Sequence, residues 1–178
     1  EIKALRKLYV APTGTDESLS IGACYYLNRL KNNYPLKNIY LGQKISEKRI
    51  NLLKIKSFFN NKKKFIIKDN VNHKKIANLL AKGKIIAVAR GREEFGARAL
   101  GNRSILAHPH KNGIVQNINE QIKNRDFWMP FALTVLKKYH KKFINNNKSI
   151  DCNFMTVGFD TKAEKYNLIK NGAHPYDK

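Results

Sequence analysis

Acidic residues, cysteine and long apolar runs are what this sequence has least of. Its 178 residues include 13 Asp or Glu against 35 Lys or Arg, a formal net charge of +22. Cys24 and Cys152 are its two cysteines and form no CxxC. That excludes a disulfide-built scaffold and fits reduced thiols in a cytoplasmic protein. No apolar run approaches membrane length, so neither a spanning helix nor a membrane partner is expected. The opening stretch EIKALRKLYVAP lacks the apolar core of a signal peptide and an initiator Met, so the chain is expected to be a piece of something longer. Walker A and GxGxxG cradles are missing, as are zinc fingers, KH loops and RNP-type aromatics. No internal repeat is visible.

The positive charge attracts phosphate-rich partners in general. Here the lysines fall in scattered runs such as NNKKKF and LKKYHKKF, amid abundant Asn and Ile. Such runs read as solvated surface, and a dedicated nucleic-acid module is the weaker reading. The apolar share of 42% is ordinary for a folded domain.

Along the chain, Leu8 to Val10 read as a strand, APTGTDES as a turn, and about Leu19 to Leu30 as a helix with Ile21, Cys24 and Tyr25 at helical spacing. Ser46 is placed as the N-cap of a short helix carrying Ile50, Leu53 and Ile55. FIIKD reads as a strand. A helix from about His73 is expected to stop at Gly83. KIIAVAR, residues 84–90, reads as a strand buried on both faces. IVQNINEQIKNR reads as a helix with Val115, Ile118 and Ile122 inward, FALTVL as a strand, and KKYHKKF as a basic loop or frayed helix. The alternation of strands and helices predicts an α/β or α+β fold.

The stretch GREEFGARALGNRSILAHPH, residues 91–110, begins at the C-terminal end of the 84–90 strand, where α/β folds collect ligands. With Arg90, its Arg92, Arg98 and Arg103 place four guanidinium groups close together, among Gly91, Gly96 and Gly101. Arginine suits bidentate phosphate contact, and glycine lets backbone N–H groups approach an anion. Ser104 adds a hydroxyl; Lys123 and Arg125 add charge from the next helix. A surface loop pairing these arginines with Glu93, Glu94 and Glu120 is the equal alternative on residues alone.

The run GREEFGARALGNRSILAHP followed by NINEQIKNRDFWMPFALTVL resembles the C-terminal region of the O-carbamoyltransferase family, which includes nodulation-factor, cephamycin and tobramycin carbamoyltransferases. That family reads approximately GRxEFGPRALGxRSILADPR, then NxxxKxRExxRPFAP. LYVAPTGTDESLSIGACYYL and NIYLGQKIS are similar to its preceding segments, so the likeness runs from about Leu8 to the end. It implies a YrdC-like twisted mixed sheet with flanking helices over residues 35–178. Residues 1–34 would be the closing segment of an actin-like ATPase-fold half, or the first elements of the C-terminal domain. It also implies that carbamoyl phosphate and ATP form carbamoyl adenylate, whose carbamoyl group passes to a hydroxyl of a small-molecule acceptor. The N-terminal half of the same protein is the implied partner and carries a divalent metal, iron or magnesium. By position in the motifs, Arg98 and Lys123 are the expected catalytic pair. Arg92, Arg103, Ser104, Asn119 and Arg125 are expected at the substrate or nucleotide. Asp16 matches a metal-ligand Asp, for use only with the N-terminal half; taken alone, it reads as a helix N-cap.

Several positions depart from the family pattern. Met129 stands for the second Arg of RExxRP, Ala97 for Pro, Asp126 for Glu, His108 and His110 for the Asp and Arg of ADPR, and Leu133 for Pro. His108 and His110 lack a third ligand and read as loop residues. Phe127, Trp128 and Cys24 are expected in the core. Two other classes compete: a basic RNA-binding YrdC-like module, and a related carbamoyl- or threonylcarbamoyl-adenylate enzyme. Against the second stand the RALGNRS block and the missing KxR…SxN pattern.

Overall fold

The computed structural model describes residues 4, 6, 10–28, 36–46, 51, 68 and 70–174. They fall into two compact units. The expected helix after Ser46 and the FIIKD strand lie outside the described residues except at isolated positions, as do residues 8 and 9 of the first expected strand.

One unit comprises Tyr40–Phe95 and Ala99–Ala107. Helix α2, His73–Ala81, begins where the Asn72 side chain accepts the Lys75 N–H at 2.9 Å. It ends where Gly83 turns to φ +78°, its N–H bonding Leu80 O at 2.8 Å while Lys84 N–H bonds Leu79 O at 3.0 Å. That pair of bonds is a Schellman closure, and it needs the conformational freedom of glycine. Strand β1, Ile86–Ala89, then pairs antiparallel with β2, Arg103–Leu106, with Val88 opposite Ser104. Both strands and helices are thus present, as α/β patterning requires. The sheet of the described residues, however, has two antiparallel strands where a larger mixed sheet is expected. Nor is β1 buried on both faces: Ala87 and Ala89 are exposed. Residues 42–45 run alongside 91–93 through Gly42 N–H to Glu93 O, Glu93 N–H to Gln43 O and Ile45 N–H to Gly91 O, each 3.0–3.1 Å. No apolar residue of this unit is fully buried among those described.

The other unit comprises Glu1–Ile39, Gly96–Arg98 and His108–Lys178. Helix α1, Glu17–Leu27, starts at Asp16, whose side chain makes no capping bond. The Ser18 hydroxyl bonds Thr15 O instead, and the Thr13 and Thr15 hydroxyls gather on the Glu17 carboxylate. Cys24 is exposed on this helix, not in the core. Helix α3, Ile114–Asn117, runs straight into a turn of π-helix, Ile118–Lys123. The wider winding replaces the expected stripe: Ile114 and Ile118 are buried, Val115 is half-buried and Ile122 is 49% exposed. Asn124 closes the turn in the left-handed region at φ +46°.

FALTVL, residues 131–136, alternates half-buried and exposed side chains as a strand would. It finds no ladder partner among the described residues and so is not a strand. After a 3₁₀ turn at Lys137–Tyr139 come α4, His140–Phe143, then a 3₁₀ turn at Ala163–Lys165, α5, Tyr166–Ile169, and a last 3₁₀ turn at Lys170–Gly172. Ile39, Phe154 and Ile169 complete the buried apolar set with Ile114 and Ile118. Each isoleucine so buried is worth about 2–3 kcal/mol. Asn171 N–H bonds Pro109 O at 3.0 Å, and Lys170 Nζ donates to Asn112 at 2.9 Å, holding the segment that leads into α3.

Candidate functional site

The arginine-rich stretch is the connection between β1 and β2, extended one step by Arg90 N–H to Asn102 O at 3.0 Å. Its organising group is the Glu94 carboxylate. One oxygen, Oε1, accepts the backbone N–H of Leu100 at 2.7 Å, of Asn102 at 2.7 Å and of Arg103 at 3.3 Å. Partial burial pushes this carboxyl up. The N–H groups of Asn102, Glu94 itself, Leu100 and Arg103 outweigh that and hold it below its ordinary value. The alternative pairing of arginines with Glu94 is therefore not what forms: Glu94 serves the backbone, and Arg103 meets Glu93 at 3.5 Å.

Three arginines of the cluster are committed to carbonyl oxygens. Arg90 Nε donates to Gly101 O and Asn102 Oδ1, both at 3.2 Å. Arg92 donates through Nε to Tyr40 O at 3.0 Å and through Nη2 to Leu41 O at 2.6 Å. Arg103 Nη1 donates to Arg90 O at 2.7 Å and Asn102 O at 3.0 Å. The Ser104 hydroxyl accepts Gly101 N–H at 2.8 Å and keeps its own proton to donate. Gly101 needs its glycine, since φ is +103°, a conformation in which an L side chain is strained.

Arg98, Lys123, Asn119, Arg125 and Asp16 belong to the other unit. The side chains of Arg98 and Lys123 are exposed and make no hydrogen bond or ion pair with the described residues. Asn119 is the opposite case, with 0% of its surface exposed. Its Nδ2 donates to Phe127 O and Met129 O, both at 3.0 Å, and its Oδ1 accepts Arg125 Nε at 2.7 Å. The Arg125 guanidinium also lies over the Phe131 ring, 4.7 Å from its centroid. Phe127 and Trp128, expected in the core, are 65% and 54% exposed; Asn119 holds their backbone while the rings face outward. Sequence reasoning did not show this burial: nothing in NINEQIK distinguishes an inward Asn from an outward one.

Asp16 is a single exposed carboxylate, and no group of three His, Cys, Asp or Glu suited to a metal occurs among the described residues. His108 and His110 stay in the loop: His110 N–H bonds His108 Nδ1 at 3.1 Å, and the His110 ring meets Asn167 O. Among the described residues no helix is long and apolar enough to cross a membrane.

Residues 77–178 match the family model described as carbamoyltransferase C-terminus. The chain is similar to a protein of Methanocaldococcus jannaschii, 33% identical over 169 residues, which is 94% of this chain and 32% of that protein. It is similar to nodulation protein NolNO of Sinorhizobium fredii, 37% identical over 99 residues, 55% of this chain and 15% of that one. It also resembles the 3'-hydroxymethylcephem-O-carbamoyltransferase of Streptomyces clavuligerus, 37% identical over 62 residues, 35% of this chain and 12% of that one. The chain thus spans a third or less of the length of these relatives.

Proposed function

The chain belongs to the family of carbamoyltransferase C-terminal domains, and from that premise we propose that it is the YrdC-like activating domain of an O-carbamoyltransferase. Carbamoyl phosphate and ATP would give carbamoyl adenylate, releasing pyrophosphate from the nucleotide and orthophosphate from the carbamoyl donor, with net uptake of one water. The carbamoyl group would then pass to a hydroxyl of a small-molecule acceptor. An actin-like half of the same cytoplasmic protein would supply the transfer site and its metal, with Asp16 adding one carboxylate there.

The observation that carries this reading is the family match over a segment whose Arg98, Lys123 and outer Arg125 edge have no anionic partner among the described residues. Guanidinium and ammonium groups bind phosphoryl oxygens through charge-assisted hydrogen bonds, and in this reading all three side chains turn to one phosphoryl group. In the proposed arrangement Arg98 grips phosphate oxygens and Lys123 offsets the charge that builds on them in the transition state. Arg125 adds a bidentate contact. Arg92 and Arg103, through their carbonyl bonds, set the shape of the glycine loop, and Ser104 keeps one O–H to offer.

The test is calorimetric titration of the 178-residue chain with carbamoyl phosphate and a non-hydrolysable ATP analogue, beside Arg98→Ala. Saturable binding that weakens by roughly ten-fold or more in the variant is expected. The charge of +22 supports one other reading, a polyanion-binding module. Under it, RNA binds with steep salt dependence, Arg98→Ala is tolerated, and carbamoyl phosphate does not bind.

A further inference from the structure

We propose that Asn119 is a positioning residue: it sets Arg125 as a two-pronged receptor for a phosphoryl anion and locks that receptor to the turn carrying Trp128. The inference rests on the phosphate-handling reading of this segment.

An asparagine with 0% exposure offers no surface to a ligand, so its position in the motif calls for a role through other groups. All three of its side-chain bonds are made, two donated and one accepted. Only one orientation of the amide allows this. Flipped, its oxygen would face the two carbonyls and its NH₂ would face the guanidinium N–H, losing every bond. The amide therefore fixes Arg125 at Nε, and the Phe131 ring, 4.7 Å away, fixes the plane. What remains is the outer edge, Nη1 and Nη2 with four N–H groups, which no described residue satisfies. Arg92 and Arg103 are unlike this, because each donates through a terminal nitrogen to backbone carbonyls; Arg90, also bonded through Nε, has no aromatic ring against its face among the described residues. A guanidinium held in advance at one edge and one face loses little freedom when it binds, and its free edge matches two oxygens of a tetrahedral phosphoryl group. The same amide grips the carbonyls on either side of Trp128, so the receptor and that turn move as one piece.

The experiment is titration of the 178-residue chain with inorganic pyrophosphate at roughly physiological salt, for wild type, Asn119→Ala, Arg125→Ala and the double variant. Each single change is expected to weaken binding by roughly ten-fold or more, and the double change to cost no more than the worse single one, because the two act as one unit. Added ethylguanidinium should restore binding to Arg125→Ala, while ethylammonium, which cannot fork, should not. Because this arm keeps Asn119, it stands even if Asn119→Ala fails to fold. Rescue must disappear in Asn119→Leu with Arg125→Ala, which offers the added guanidinium no acceptor. Multiplying effects, or equal rescue by both cations, would overturn the positioning role while leaving the phosphate site standing. A folded wild type that binds none of pyrophosphate, carbamoyl phosphate or the ATP analogue would remove the site reading, and the role with it.

Discussion

The Glu94 carboxylate and the Asn102 backbone N–H meet at 2.7 Å across eight residues of chain, inside a loop otherwise crowded with cations. One negative oxygen satisfies three backbone donors there, so the loop carries its own anion. The arginines around it turn to carbonyl oxygens. A loop so arranged has a fixed backbone before any ligand arrives.

Acid should loosen this loop. The Glu94 carboxyl is held below its ordinary 4.5. Its contribution is thus fully present above the unfolded value and disappears as pH falls through the folded one. The melting temperature of wild type should decline in that range. Glu94→Gln keeps an acceptor oxygen but loses the charge. It should be about 1 kcal/mol less stable at neutral pH, a low figure because the group is partly exposed, and should show a shallower acid decline.

Gly101→Ala should cost about 1 kcal/mol or more, a fall of about 2–4 °C per kcal/mol in melting temperature. Its φ of +103° lies where alanine is strained. Gly14→Ala is the control: an added Cβ there meets nothing within 4 Å, and a change within about 0.5 kcal/mol is expected.

Arg103→Ala and Arg98→Ala should separate stability from binding. Arg103 ties Arg90 O and Asn102 O together, so its loss should lower the melting temperature by the equivalent of about 1–3 kcal/mol. Arg98 touches no described partner, so its loss should leave the melting temperature almost unchanged and act on carbamoyl phosphate affinity. A large fall in melting temperature for Arg98→Ala would place that side chain in the fold's framework.

Trp128 is the chain's one tryptophan. Half-exposed as it is, it should emit at long wavelength and be quenched readily by iodide. Trp128→Ala should cost about 0.5 kcal/mol or less, against the 3–5 kcal/mol of a core aromatic. Pyrophosphate should change the wild-type emission and leave that of Arg125→Ala as it was.

Local chemistry made the α2 boundaries legible. Asn72 and Gly83 are residues whose side chain, or lack of one, does a single job at a helix end. Alternation in FALTVL was legible too, yet a strand also needs a neighbour, and a sequence does not say whether one is at hand. The destinations of the arginines were hidden for a different reason. A guanidinium that bonds Tyr40 O is the same residue type as one that bonds phosphate, and only the fold brings residue 40 to residue 92. The burial of Asn119 was hidden in the helical period: a regular helix would put positions 119 and 123 on one face, whereas the π-turn sends the amide inward and leaves the lysine outside.

That turn makes residue count a functional quantity. Each residue of an ordinary α-helix rotates the chain by about 100°. Ile118–Lys123 accommodates a longer repeat, in which Asn124 N–H reaches back five residues to Asn119 O. Removing a single residue between Asn119 and Arg125 would let the segment relax to regular α winding and swing the guanidinium about a quarter turn away from its amide. Among relatives, substitutions at the exposed positions 120–122 should be common, while insertions or deletions there should be purged.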